Sequence, residues 1–144
     1  MPTASSTVTI NRPPAEVFDF VADGTTATKW RPGVLDVALV SGSGLGAQYK
    51  QGVRGPGGRR VDADYKVTAF VPAQRLAFAA TAGPVRPTGE YVLEAVAEGT
   101  QITFSLKADL GGLKGLLMGR AVQSSMDAEV GSLATLKRVL ETAS

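Results

Sequence analysis

From Arg60 to Val71, polar and apolar residues change places at every step. Val61, Ala63, Tyr65, Val67 and Ala69 fall on one side, and Arg60, Asp62, Asp64, Lys66 and Thr68 on the other. A period of two sends successive side chains to opposite faces of a strand, so one face is buried and the other wet. Such a strand belongs to an antiparallel sheet covered on one side, because strands of a parallel sheet are buried on both faces and read as unbroken apolar runs. The same grammar holds through the middle of the chain. Val34–Ser41, Ala47–Val53, Arg75–Ala82, Gly89–Ala97 and Gln101–Ala108 are further strands, parted by turn residues such as Gly42-Ser43-Gly44-Leu45-Gly46, Gly55-Pro56-Gly57-Gly58 and Glu98-Gly99-Thr100. With Thr7–Ile10 the expectation is seven strands.

Two segments break the pattern. Pro13 and Pro14 end the first strand and open a helix over Ala15–Ala22, and a second short helix is expected over Thr25–Trp30 before Arg31-Pro32-Gly33 stops it. The last third, Gly111 to Glu141, carries no strand signal and is rich in Leu, Ala, Lys, Met and Glu. Met118, Val122, Met126, Leu133, Leu136 and Leu140 form one apolar stripe at helical spacing. Gly115 and Gly119 predict that the first two turns of this helix are separate or bent. Nothing in the chain marks a linker or a repeat, so residues 1–144 read as a single domain.

Composition removes whole classes of chemistry. The chain has no cysteine and no histidine. Thiolate nucleophiles, disulfides, a serine–histidine triad and a histidine metal cage are all excluded, and no cofactor or metal is expected. A net charge of +2 with scattered basic residues gives no nucleic-acid footprint. Arg54, Arg59 and Arg60 cluster at one hairpin, where Asp62 and Asp64 would partly neutralise them. Gly42-x-Gly44-x-Gly46 joins two strands instead of opening a helix, so it is a turn and not a phosphate loop. Met1–Ser6 lacks the cationic and apolar regions of a signal peptide, and no run approaches the roughly 20 apolar residues that span a bilayer. A cytoplasmic protein without stable membrane insertion is the expectation.

The opening Ile10-Asn11-Arg12-Pro13-Pro14-Ala15-Glu16-Val17-Phe18-Asp19-Phe20-Val21 resembles that of the bacterial polyketide cyclase-like proteins of the START/Bet v 1-like (SRPBCC) superfamily. So do Val67-Thr68-Ala69-Phe70-Val71-Pro72-Ala73-Gln74-Arg75-Leu76-Ala77-Phe78, Gly89-Glu90-Tyr91-Val92-Leu93-Glu94 with Gly99-Thr100, and Leu133 to Glu141. The resemblance implies an α+β helix-grip fold. In it a curved seven-stranded antiparallel sheet wraps a long C-terminal helix, two short helices follow strand 1, and a cavity lies between sheet and helix. The glycines of 42–46 then serve backbone geometry, as in the glycine-rich turn of that fold.

Alternation then selects the side chains that face the cavity. Tyr49, Gln51 and Val53 share a face, as do Tyr65 with Val61, Ala63 and Val67, Leu76 with Phe78, Tyr91 with Leu93, and Ile102 with Phe104 and Leu106. Trp30 falls where this fold places the cavity rim. The candidate ligand-binding set is Trp30, Tyr49, Gln51, Tyr65, Phe78, Tyr91, Phe104, Met118, Val122 and Met126, an apolar chamber with phenols and an amide to orient a small molecule. The bland alternative is a filled core. Glu129 lies within the helix stripe, where a carboxylate is costly unless paired or protonated. It is either an acid/base or anchoring group, or a side chain reaching past the helix edge. The expected function is binding or carrying a small hydrophobic or aromatic molecule. The alternatives are a polyketide cyclase, aromatase or dehydratase using Glu129, Tyr65 or Tyr91, helped by an arginine such as Arg86 or Arg120, and an interaction module docking through Leu116 and Leu117.

Overall fold

The computed structural model describes residues 2–83, 85–108 and 112–142, with the side chains of 56 and 112–118 outside that description. Thr3–Ile10 forms β1. It begins earlier than hydropathy predicts, because its outer face is held by hydroxyls: Ser5 and Ser105 meet at 3.2 Å, and Thr7 and Thr103 at 2.9 Å. Helix α1 (Pro14–Ala22) follows with Pro13 extended at its N-cap, and it buries Val17, Phe18 and Val21. The second short helix is a 3-10 turn over Gly24–Lys29, started by the Asp23 carboxylate accepting from the Thr25 amide at 3.0 Å.

The strands continue as β2 (Val34–Ser41), β3 (Gln48–Arg54), β4 (Arg60–Asp62), β5 (Tyr65–Val71), β6 (Arg75–Ala80), β7 (Thr88–Val96) and β8 (Gly99–Lys107). They make one antiparallel sheet in the order β1-β8-β7-β6-β5-β3-β2, with β4 set beside β3. Helices α2 (Gly112–Gly131) and α3 (Leu133–Thr142) run along β1 and β8, and α1 packs on β7 and β8. This is the helix-grip architecture that the resemblance implied. Edge strand β2 leaves Leu39 and Val40 exposed, and register shifts at Val34/Asp36 and Leu39/Ser41 blunt it against edge-to-edge pairing.

Three details differ from the expectation. The strand expected over Arg60–Val71 is split, because Asp64 leaves the ladder. Its carboxylate accepts from the Gln51 amide at 3.1 Å and its carbonyl from the Thr81 amide at 2.7 Å, so Asp64 is half-buried, not wet. A bulge between Val67 and Ala69 then resets the alternation. Phe70, not Ala69, takes the inward place opposite Leu76, and its ring meets Phe18 edge-on at 5.1 Å. Finally, the C-terminal helix breaks at Ser132 and not near Gly115 or Gly119, which lie within α2. The Ser132 hydroxyl donates to the Glu129 carbonyl and competes with helical bonding there.

At Gly99 the φ is +133°, and a Cβ added there would collide with the Ile10 carbonyl oxygen; at Gly57 the φ is +70° and the space is open. A left-handed side chain alone costs roughly 1–2 kcal/mol. Gly57→Ala should therefore lose about that much stability in urea unfolding, and Gly99→Ala distinctly more. Equal losses would show that the contact between β1 and the β7–β8 turn yields freely.

Candidate functional site

Each inward strand position contributes one ring to a continuous row. Tyr49 on β3 stacks on Tyr65 of β5 at 5.0 Å between centroids, and Tyr65 leads to Phe78 of β6 at 5.5 Å. Phe78 lies 6.1 Å from Tyr91 of β7, and Tyr91 stacks on Phe104 of β8 at 4.4 Å. The row exists because Tyr49 pairs with Tyr65, and Tyr91 with Phe104, across neighbouring strands, where opposed side chains stand close enough to touch. Trp30 closes it from the side, edge-on to Tyr91 and Phe104 at 6.2 and 6.4 Å. It is only 3 % exposed, so it lies in the core and not at a rim. From α2, Val122 and Met126 are buried in the same cluster, joined by Val130, which the stripe reading passed over. The Met118 side chain lies outside the described residues, as do those of Leu113, Leu116 and Leu117.

One end of the row is polar. Glu129 on α2 meets Arg31, the residue after Trp30, with Arg31 Nε donating to Glu129 Oε2 at 2.8 Å. The two side chains are only 11 % and 20 % exposed. Arg31 Nη1 also reaches Gln51 Oε1 at 3.5 Å, and the guanidinium carbon stands 6.0 Å from the Trp30 ring. Burial works against the guanidinium charge, but Glu129 opposite it, with Tyr91 and Tyr65 nearby, holds the Arg31 pKa above its usual value. The Gln51 amide is occupied at both ends, since Nε2 donates to the Ala63 carbonyl at 3.2 Å. Burial pushes the phenols of Tyr65 and Tyr91 up, Arg31 opposing it in both. Tyr49 is spent on structure: its hydroxyl donates to the Ala22 carbonyl at 3.4 Å and accepts from the Gly24 amide at 3.3 Å.

Arg31 is the member of this cluster that sequence reasoning misses. In the sequence it stands only as part of a helix-stopping turn, although a carboxylate in an apolar stripe is costly unless it is paired or protonated. Arg86 and Arg120, the arginines considered as helpers in the enzyme alternative, lie toward the surface. The basic hairpin is also a surface feature, with Arg60 bridging Asp36 at 2.8 Å and Asp62 at 2.6 Å. Among the described residues no group of three or more metal-ligating side chains occurs. Two open grooves share no residue with the aromatic row. One of about 390 Å³ lies between α1 and α3 beside Phe20 and Val139, and one of about 500 Å³ lies beside Thr9, Glu98 and Lys137. No helix among the described residues is long and apolar enough to cross a membrane.

Residues 1–141 match the family described as "Polyketide cyclase / dehydrase and lipid transport". No curated protein matches the chain. Among solved structures it is similar to TTHA0849 from Thermus thermophilus, with TM-score 0.84 and 24 % identity over 99 % of this chain and 100 % of that one. A START superfamily protein from Mycobacterium smegmatis matches with TM-score 0.73 and 12 % identity, over 96 % and 98 % of the two chains. The di-domain ARO/CYC BexL from the BE-7585A biosynthetic pathway matches with TM-score 0.71 and 22 % identity, over 98 % of this chain and 47 % of that one. These likenesses show the fold.

Removing one member of a buried ion pair costs about 3–5 kcal/mol because the other is stranded, whereas replacing both with apolar groups is often neutral. Glu129→Leu strands the more buried Arg31 and should cost more than Arg31→Met, which frees a carboxylate closer to water. The double variant should be more stable than Glu129→Leu alone in denaturant titration. Strict additivity would show the pair is not coupled.

The raised Tyr91 phenol gives a second expectation. The unfolded state ionises first, near the free tyrosine value of about 10, so this tyrosine's contribution is intact below that pH and is lost as pH rises above it. The loss runs at about 1.4 kcal/mol per pH unit. Unfolding free energies measured from pH 9 to 11.5 should fall less steeply for Tyr91→Phe than for the unaltered protein.

Proposed function

We propose that this chain, which belongs to the polyketide cyclase/dehydrase and lipid transport family, binds a small apolar molecule with a flat, ring-bearing body between the concave face of its sheet and α2. The fold is of a hydrophobic-ligand-binding type. The observation that carries the reading is the row of rings from Tyr49 to Phe104, contributed by five different strands and closed by Trp30. Aromatic rings offer large, stiff contact surfaces that lose little freedom on binding, and pockets for small molecules are lined mostly by such groups with a few polar ones. The polar end formed by Arg31 and Glu129 supplies those few.

A second reading, cyclisation or dehydration of a polyketide-like substrate, uses the same place. Glu129 favours it, being a carboxylate near Tyr91 that could accept a proton while a flexible chain is held folded. It differs from the first by making turnover, not affinity, depend on that carboxylate.

Trp30 is the only tryptophan, so its emission reports on the aromatic row alone. Titration with the neutral probe N-phenyl-1-naphthylamine should quench Trp30 saturably and raise the melting temperature by mass action. Ala80 lies opposite Tyr65 in the β5–β6 register. Ala80→Leu should abolish probe binding with little change in stability, whereas a close-packed interior would lose about 1–3 kcal/mol. Failure of the probe to bind, together with that loss, would overturn the reading.

A further inference from the structure

The groove of about 390 Å³ between α1 and α3 lies outside the aromatic row and is built on different principles. Its floor is apolar, made by Phe20, Val139 and Leu140. Leu140 is buried, but Phe20 and Val139 are only half-buried and rest on the core from outside, so apolar surface stays open to water there. The volume falls within the roughly 300–1,000 Å³ of small-molecule sites.

Every charged residue lining this groove is acidic: Glu16, Asp19 and Asp23. Steps of three and four place them on the same side of α1 as Phe20, and like charges four residues apart repel. Glu16 has Arg12 at 3.7 Å, and Asp23 Oδ1 accepts from the Thr25 amide and hydroxyl at 3.0 and 2.6 Å. Among the described residues the Asp19 carboxylate has neither a hydrogen bond nor an ion pair. The placement is also the reverse of what the helix favours. α1 ends at Ala22, where unsatisfied carbonyls already make a negative pole that a cation would stabilise, yet its last turn carries no basic residue. The groove thus joins an apolar floor to a negative potential that no lining side chain answers. The Phe20 ring adds a further attraction, since aromatic faces draw cations.

We propose that this groove is a second binding site, for a small apolar ammonium compound. Its charged head sits between Asp19 and Asp23, and its hydrocarbon or ring body covers Phe20 and Val139. A small molecule fits better than a partner helix, which needs apolar anchors over several turns, because α3 offers only Val139 and Leu140. The site does not depend on what the aromatic row binds.

The test uses three compounds of one shape: 4-phenylbutylamine, 4-phenylbutan-1-ol and 4-phenylbutanoate, each titrated by calorimetry and by amide NMR shifts. The amine should bind about fivefold more tightly than the alcohol, as expected of one or two exposed ion pairs, and the butanoate more weakly than either. That advantage should shrink in about 0.5 M salt. The amine's shifts should centre on Phe20, Asp23 and Val139, and it should not displace N-phenyl-1-naphthylamine from Trp30. Asp19→Asn with Asp23→Asn keeps the shape and the Thr25 cap, and should bring the amine down to the alcohol while alcohol affinity holds. Asp19→Asn alone, at an exposed carboxylate without a partner, should remove part of the advantage without touching the fold. Equal binding of amine and alcohol to the unaltered protein overturns the proposal, as does tightest binding by the butanoate or no binding by any of the three. Shifts centred on Tyr65 and Tyr91, with displacement of the naphthylamine probe, overturn it too and leave the apolar-ligand reading standing.

Discussion

A single ion pair ties the two halves of the grip together. Arg31 belongs to the turn that carries the chain from the short helices into β2, and Glu129 to α2, and they are 98 residues apart in sequence. Two charges removed from water are tolerable only when geometry and further hydrogen bonds repay their desolvation. Here Gln51 on β3 reaches toward the guanidinium and is itself fixed to the Ala63 carbonyl, and Trp30 sets its ring beside the cation. The pair thus joins a loop, a strand and a helix in one place. That is also where the chain breaks its regular patterns: the 3-10 turn ends at Lys29, β4 parts from β5 at Ala63–Asp64, and α2 ends shortly after Glu129.

The aromatic row depends on the same region from the other side. Tyr49 stacks on Tyr65, and its hydroxyl bonds the backbone at Ala22 and Gly24, so the junction between α1 and the 3-10 turn is pinned to β3. Only glycine fits there, since a Cβ on Gly24 would collide with the Tyr65 hydroxyl and lie 2.7 Å from the Tyr49 ring. Of the three phenols, then, Tyr49 has a structural task that consumes its hydroxyl, while Tyr65 and Tyr91 keep theirs. The sequence presents all three at equivalent inward positions, and only their neighbours distinguish them.

That contrast explains what could be read in advance. Strand and helix identity were legible because a period of two and a period near four are local properties, and the inward faces of β3, β6, β7 and β8 followed directly. Reading failed where one residue changed the count. The bulge before Ala69 exchanged its place with Phe70, and Asp64 broke a strand by substituting its carboxylate for a ladder contact. Neither leaves a trace in hydropathy. Within the site, Glu129 was visible as an anomaly in an apolar stripe, but its partner was not. Arg31 sits in a Trp-Arg-Pro-Gly turn whose sequence argues only for a break, and the pairing comes from tertiary geometry. Trp30, expected at a rim because it adjoins that break, is carried inward because the turn folds back over Tyr91 and Phe104.

The protonation states of this cluster bear on whether it is an acid–base centre. A general acid works best when its pKa lies near the working pH. Burial moves Tyr65 and Tyr91 upward from an ordinary value that is already alkaline, and Glu129 with the neighbouring phenols keeps Arg31 charged despite its burial. None of these three groups changes its proton count near neutral pH, and the chain has no histidine to do so in their place. Glu129, the carboxylate of the cluster, is engaged by Arg31. What the arrangement offers is a fixed set of donors that stays the same across the physiological range. Such a set can donate hydrogen bonds without exchanging protons. For Arg31, Tyr65 and Tyr91 this character fits the binding reading proposed above, and it leaves Glu129 as the group on which the proton-transfer reading rests.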